Sequence, residues 1–237
     1  MTHPHLIHPN ELVDPDVLGG NEEFALLRGA PWRRLAVLGD SAAAGVGDAT
    51  DGYMRITWAE RVARGLRGHH PDLTYRNFGR RGLVTAEVAA EQLAPALAFA
   101  PDLAFVVAGG NDVLRQLFSP EQLEAELDAL VAALRDGGAD VVLFTLFDIT
   151  QAVTMPEPWG GRLSARLGAL SALTASVARR RDALLVDCAG HPRAADPSLY
   201  SGDMIHLNMR GQAVCAAEAM RTLSRVLHPP VEASAVA

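Results

Sequence analysis

Lysine is missing from this 237-residue chain, and all 21 basic side chains are arginine. Schiff-base chemistry, a pyridoxal phosphate linkage and the phosphate-binding loop that closes on Gly-Lys-Ser/Thr each need a lysine amine, so all three are excluded. Cysteine is scarce as well, with Cys188 and Cys215 the only two. Both fall in stretches with strand or helix patterning, and a cytoplasmic protein with two free thiols is expected. No run of about 18 apolar residues occurs, so neither a transmembrane helix nor a membrane partner is expected. The opening residues, MTHPHLIHPNELVDPD, lack the basic start and apolar stretch of a secretory signal. Positive charge is in deficit, with a net charge of -7. A nucleic-acid partner rewards a basic face, and none is expected here.

Hydrophobic residues make up 49% of the chain and charged residues 21%. That balance excludes disorder, and the length suffices for one large domain with its own core. Residues 1–30, rich in His, Pro and Asp, read as an irregular leader, residues 31–228 as the domain, and 229–237 as a tail. Short apolar runs at 33–39, 73–79, 102–110, 140–147 and 183–190 read as strands. Helical spacing occupies 56–66, 85–100, 119–138, 162–181 and 209–227. Pro95 marks a kink or a break in the second of these helices. In the third, Ser119 is a cap, Pro120 suits the first helical position, and Gln122 completes a capping box. Strands alternating with helices predict an α/β fold, a single three-layer α/β/α domain on a five-stranded parallel sheet. Periodicity does not give the strand order.

In open parallel sheets, ligands bind outside the carboxyl ends of the strands. Four blocks sit at such places. LAVLGDSAAAGVGD (35–48) runs from a buried strand into Gly39-Asp40-Ser41, with almost no side chains after the serine. Asn77-Phe78-Gly79-Arg80-Arg81-Gly82 follows the second strand, and Gly109-Gly110-Asn111-Asp112 the third. SGDMIHLN (201–208) precedes the last helix and sets Asp203 three residues before His206. A free hydroxyl is a poor nucleophile and needs a base, so Ser41 and His206 form a natural pair. Asp203 could then hold the imidazole tautomer and stabilise the imidazolium. The small residues after Ser41 leave an attack trajectory open.

Taken in order, these blocks resemble the SGNH hydrolases, also called the GDSL esterase and lipase family, over about residues 33–220. One departure is Ala42, which stands where the family's second name implies leucine. The resemblance implies a flavodoxin-like fold and a serine hydrolase that cleaves an ester or similar acyl bond of a small-molecule substrate. It implies Ser41 as nucleophile, His206 as base and Asp203 as orienting acid. The oxyanion donors would be the Ser41 and Gly82 backbone N–H groups and the Asn111 side-chain amide. No metal and no cofactor is called for. An acyltransferase, in which an alcohol or sugar intercepts the same acyl-serine, is the alternative; a binding module that has lost catalysis is a third reading.

Other residues carry weaker signals. Asp187, at the end of the fifth strand, rivals Asp203 as orienting acid. Asp40 is expected to brace the turn. His3, His5 and His8 lack the carboxylate or cysteine company of a metal site, and His69-His70 before Pro71 reads as a loop. Asp48 and Asp51 lack the acidic spacing of a calcium loop. Arg80 and Arg81 form either a solvated pair or a contact to an anionic substrate. In the loop 148–162, Met155 and Trp159 either line an acyl pocket or pack the loop down.

Overall fold

The structure, a computed structural model, describes residues 8–229. Five parallel strands form one sheet: β1 (Arg34–Gly39), β2 (Thr74–Asn77), β3 (Leu103–Val107), β4 (Asp140–Phe144) and β5 (Leu184–Val186). Their order is β2-β1-β3-β4-β5. This is the flavodoxin-type order, and the direction in which strands are added reverses between β1 and β3, where such sheets open a ligand crevice. The helices are α1 (Pro9–Val13), α2 (Gly20–Leu26), α3 (Trp58–Arg67), α4 (Thr85–Phe99), α5 (Gly110–Leu114), α6 (Pro120–Asp136), α7 (Ile149–Ala152), α8 (Trp159–Arg180) and α9 (Met209–Leu227). No helix among the described residues is long and apolar enough to cross a membrane.

Successive side chains of a strand point to opposite faces, and β1 supplies both halves of the core. Leu35 and Val37 pack with Trp58 and Val62 of α3 and with Val214 and Met220 of α9. Ala36 and Leu38 pack with α4, α6 and α8, among them Val88, Leu127 and Leu170. A strand buried on both faces reads as an unbroken apolar run, which is why 33–39 shows no alternation.

Local signals place the helix starts. Thr57 accepts from the Glu60 N–H at 3.2 Å and Glu60 returns to the Thr57 N–H at 2.9 Å, a reciprocal cap for α3. Ser119 caps α6 by accepting from the Gln122 N–H. Gln122 does not close the expected capping box, because its side chain donates to Glu126 one turn on. Pro95 does not break α4, which runs on to Phe99. Val88, Gln92, Ala96 and Phe99 are buried along it, and that packing offsets the backbone bond proline removes.

The leader is the largest departure from expectation. Its described part, 8–30, is not irregular: α1 and α2 form there and are tied to the domain. Glu11 pairs with Arg61 of α3 at 2.6 Å, and Asp14 pairs with Arg210 of α9 at 2.7 Å and accepts from the Tyr53 hydroxyl. The His69-His70 loop helps hold this segment, with His69 stacked on Phe24. Of the expected tail only Pro229 lies within the described residues, and His3 and His5 lie outside them.

Candidate active site

β1 ends at Gly39, where a buried amide fixes the backbone. Gln92 of α4 accepts from the Gly39 N–H and donates to the Gly39 carbonyl, both at 2.8 Å. The chain then turns sharply through Asp40–Gly45, braced by one bond within the turn and two from outside it. Asp40 accepts from the Ala42 N–H, the Trp58 indole donates to the Ala42 carbonyl, and the Asn77 amide donates to the Ala43 carbonyl. Ser41 sits on this braced turn and is only 9% exposed.

A second loop, 200–208, meets Ser41 from the far end of the sequence. A bridge between Tyr200 and Leu207 closes its base, and the Ser201 N–H donates to the His206 carbonyl at 2.7 Å. Within it, Asp203 Oδ1 accepts from the N–H groups of Ile205 and His206, each at 3.0 Å. The other oxygen, Oδ2, lies 2.6 Å from His206 Nδ1, and His206 Nε2 lies 2.8 Å from Ser41 Oγ. Burial alone would raise the Asp203 pKa, but the donors of His206 and Ile205 outweigh it and hold the carboxyl down at about 2. An ionised Asp203 needs a donor at Nδ1, which leaves Nε2 free to accept the serine proton.

The three expected oxyanion donors line the same cavity as Ser41 and His206. Among the described residues, neither the Ser41 N–H nor the Gly82 N–H has an intramolecular acceptor. Gly82 adopts φ +87, a left-handed conformation that favours glycine. The Asn111 amide donates to the Leu83 carbonyl at 2.9 Å and faces Asp40 Oδ2 at 3.4 Å. Asp40 itself is buried, which, with the nearby Asp112 charge, lifts its pKa to about 6 against the Ala42 N–H.

Asp187 is not brought to this site. It accepts from the Thr145 hydroxyl and the Gly190 N–H, so it braces the loop after β5. The cavity measures about 320 Å3 and crosses the carboxyl ends of β3, β4 and β5. Phe144, Cys188 and Cys215 line it from the α9 side, and Val113, Leu163 and Leu167 from the α8 side. Arg80 is paired with Glu91, whereas Arg81 lines the cavity beside Gly82. Met155 is half-buried and packs against the core, and Trp159 is half-exposed; neither lines the cavity.

Residues 37–214 match the GDSL-like lipase/acylhydrolase family. The chain belongs to that family. An arylesterase of Vibrio mimicus is 29% identical over 133 residues, spanning 55% of this chain and 60% of that protein. The solved structure of TesA is 26% identical, with TM-score 0.58, over 80% of this chain and 97% of TesA. Axe2, an acetylxylan esterase of Geobacillus stearothermophilus, shares the fold at 21% identity and TM-score 0.64, over 81% of this chain and 94% of that one.

Several residues of this GDSL-like site have no counterpart in the four sequence blocks. Gln92, Trp58 and Gln212 are buried and hydrogen-bond to the backbone around Ser41 or to one another: Gln212 accepts from the Trp58 N–H at 2.9 Å. The signal for Gln92 is a glutamine within the apolar stripe Val88–Gln92–Ala96, where an alkyl side chain would otherwise be expected. Among the described residues no group of His, Cys, Asp and Glu could hold a metal ion.

Proposed function

We propose that the protein is a serine carboxylic-ester hydrolase that works through an acyl-Ser41 intermediate. The contact chain from Ser41 Oγ through His206 to Asp203 is the observation that carries this reading. His206 Nε2 takes the serine proton as Oγ attacks the ester carbonyl, and Asp203 stabilises the imidazolium that forms. The same nitrogen returns the proton to the leaving alcohol, so that the alkoxide is never expelled bare. Water then repeats the cycle on the acyl-enzyme. Charge that moves onto the carbonyl oxygen is met by the free N–H groups of Ser41 and Gly82 and by the Asn111 amide, the kind of preorganised donor set that supplies most of the stabilisation in acyl transfer.

The substrate we infer is a small acyl ester whose apolar part enters the cavity behind Ser41. A volume of about 320 Å3 lies at the low end for small-molecule sites. The esterases among its relatives support the reaction type. We place the protein in a reducing compartment such as the cytoplasm, where the neighbouring buried thiols of Cys188 and Cys215 would stay reduced.

The test is covalent. A fluorophosphonate should label the wild-type chain at Ser41, and Ser41→Ala should not label while keeping its thermal midpoint. Equal labelling of the variant would remove Ser41 as nucleophile. Hydrolysis of a panel of acyl esters, run with and without an alcohol acceptor, then separates hydrolysis from acyl transfer.

A further inference from the structure

We propose that Asp48 is a positioning residue that clamps the His206 loop onto the nucleophile turn. The inference rests on the reading that His206 is the base for Ser41. Those two side chains are 165 positions apart in sequence, yet their 2.8 Å contact must be held closely. A shift of about 1 Å in a reacting group can cost roughly 10²-fold in rate.

The His206 loop is hydrogen-bonded within itself, through the Ser201 N–H to the His206 carbonyl and the Ile205 and His206 N–H groups to Asp203, but those bonds fix its shape and not its distance from Ser41. Met204, between Asp203 and His206, has φ +56, a left-handed conformation that strains a residue with a side chain. The Asp203 side chain is 40% exposed. The loop's placement against Ser41 depends on contacts from outside it, and three of these come from the segment just after the nucleophile turn. The Val46 N–H donates to the Ser41 carbonyl, which keeps that segment continuous with the turn. Gly47 then lies directly against the second loop, since a Cβ there would fall 1.9 Å from the Leu207 carbonyl oxygen. Only a residue without a side chain allows the two backbones to touch in this way.

Asp48 follows and makes three hydrogen bonds across the gap. Its Oδ2 accepts from the Gly202 N–H at 2.9 Å. Its N–H donates to the buried Ser201 hydroxyl at 2.8 Å. Its carbonyl accepts from the Met209 N–H at 3.0 Å. The loop is therefore gripped immediately before Asp203 and three residues after His206. One short segment, Val46–Asp48, is bonded to the nucleophile turn at one end and straddles the acid–base pair at the other. This gives Asp48, an acidic residue without the spacing of a calcium loop, a role in the distance between nucleophile and base.

The experiment is a double-mutant cycle on the full-length protein with a small chromogenic ester. Asp48→Ala should lower kcat by ~10–100-fold with KM nearly unchanged, because a displaced base weakens the transition state and not ground-state binding. Asp48→Asn keeps an acceptor for the Gly202 N–H and should retain most of the turnover. In a His206→Ala background, Asp48→Ala should cost nothing further, since no base remains to be positioned. Full turnover in Asp48→Ala beside an inactive His206→Ala would overturn the clamp and leave the proposed function standing. An equal loss in both backgrounds would reduce Asp48 to general stability and overturn the clamp too. Full turnover in His206→Ala would instead remove the base, and the clamp with it. If Asp48→Ala does not fold, Ser201→Ala cuts the same clamp from the other side and is read by the same criteria.

Discussion

Asn111 has two amide hydrogens and one well-placed acceptor. The Leu83 carbonyl takes one at 2.9 Å; at 3.4 Å Asp40 is a poor partner for the other. That leaves donor capacity at the edge of the cavity, where a carbonyl bound at Ser41 would develop its charge. A donor used mainly in the transition state affects kcat and kcat/KM alike and leaves KM nearly unchanged. Asn111→Ala should therefore lose ~10²–10³ in kcat at constant KM, measured per folded molecule. If Asn111 serves only to hold Leu83, the variant will lose thermal stability while its folded fraction turns over normally. The candidate site was legible in sequence because Ser41 and Asn111 stand just past strand ends, where a reactive or donating group has few structural reasons to be, and because Asp203 precedes His206 by only three residues. Gln92 and Gln212 were not, since a buried amide that holds a backbone carries no mark beyond polarity in an apolar stripe.

At the scale of elements, apolar runs and helical spacing located all five strands and the long helices, most clearly β1 and β3, whose burial on both faces leaves an unbroken apolar run. These patterns failed where structure depends on distant partners. α1 and α2 have 5 and 7 residues, and none of those residues is buried as a whole, so no apolar stripe announces them. They form because Glu11, Asp14 and Phe24 find Arg61, Arg210 and His69. The Glu11–Arg61 pair is the deepest of these, with side chains 9% and 2% exposed, and the Arg61 Nε has no partner among the described residues. Removing one member strands a buried charge, so Glu11→Ala should destabilise the protein by ~3–5 kcal/mol. Replacing both, as Glu11→Leu with Arg61→Met, should recover most of that loss. Urea unfolding of the single and double variants checks this; a double variant no better than the single would mean the ion pair itself holds α1 in place.

For the whole molecule, the carboxylates held away from their ordinary pKa fall into two groups with opposite pH signatures. Asp196 and Asp203 are held near 2, and Glu11 and Asp14 are also lowered; in each case burial is outweighed by arginine, histidine or backbone donors. A group whose folded pKa is depressed stabilises the fold above its unfolded pKa, and that contribution is lost as the pH falls through the folded value. These four residues place a loss of stability between about pH 4 and pH 2. Asp40 acts in the other direction. Its pKa rises from 3.8 to about 6 because burial penalises its charge. The folded protein holds this proton while the unfolded chain releases it, so stability declines as the pH rises from about 4 to about 6. A shift of that size corresponds to on the order of 2–3 kcal/mol, or several degrees in thermal midpoint for a chain of this length. Asp40→Asn removes the charge and keeps an acceptor for the Ala42 N–H. Any packing cost of the amide is independent of pH, so only the slope of the difference is diagnostic. The thermal midpoint of Asp40→Asn minus that of the wild type should climb between pH 4 and pH 6 and level off above. The acid loss below pH 4 should be the same in both proteins. A difference that stays flat across this range would show that Asp40 is already ionised in the folded protein at pH 4, and that the turn beneath Ser41 carries a full negative charge throughout.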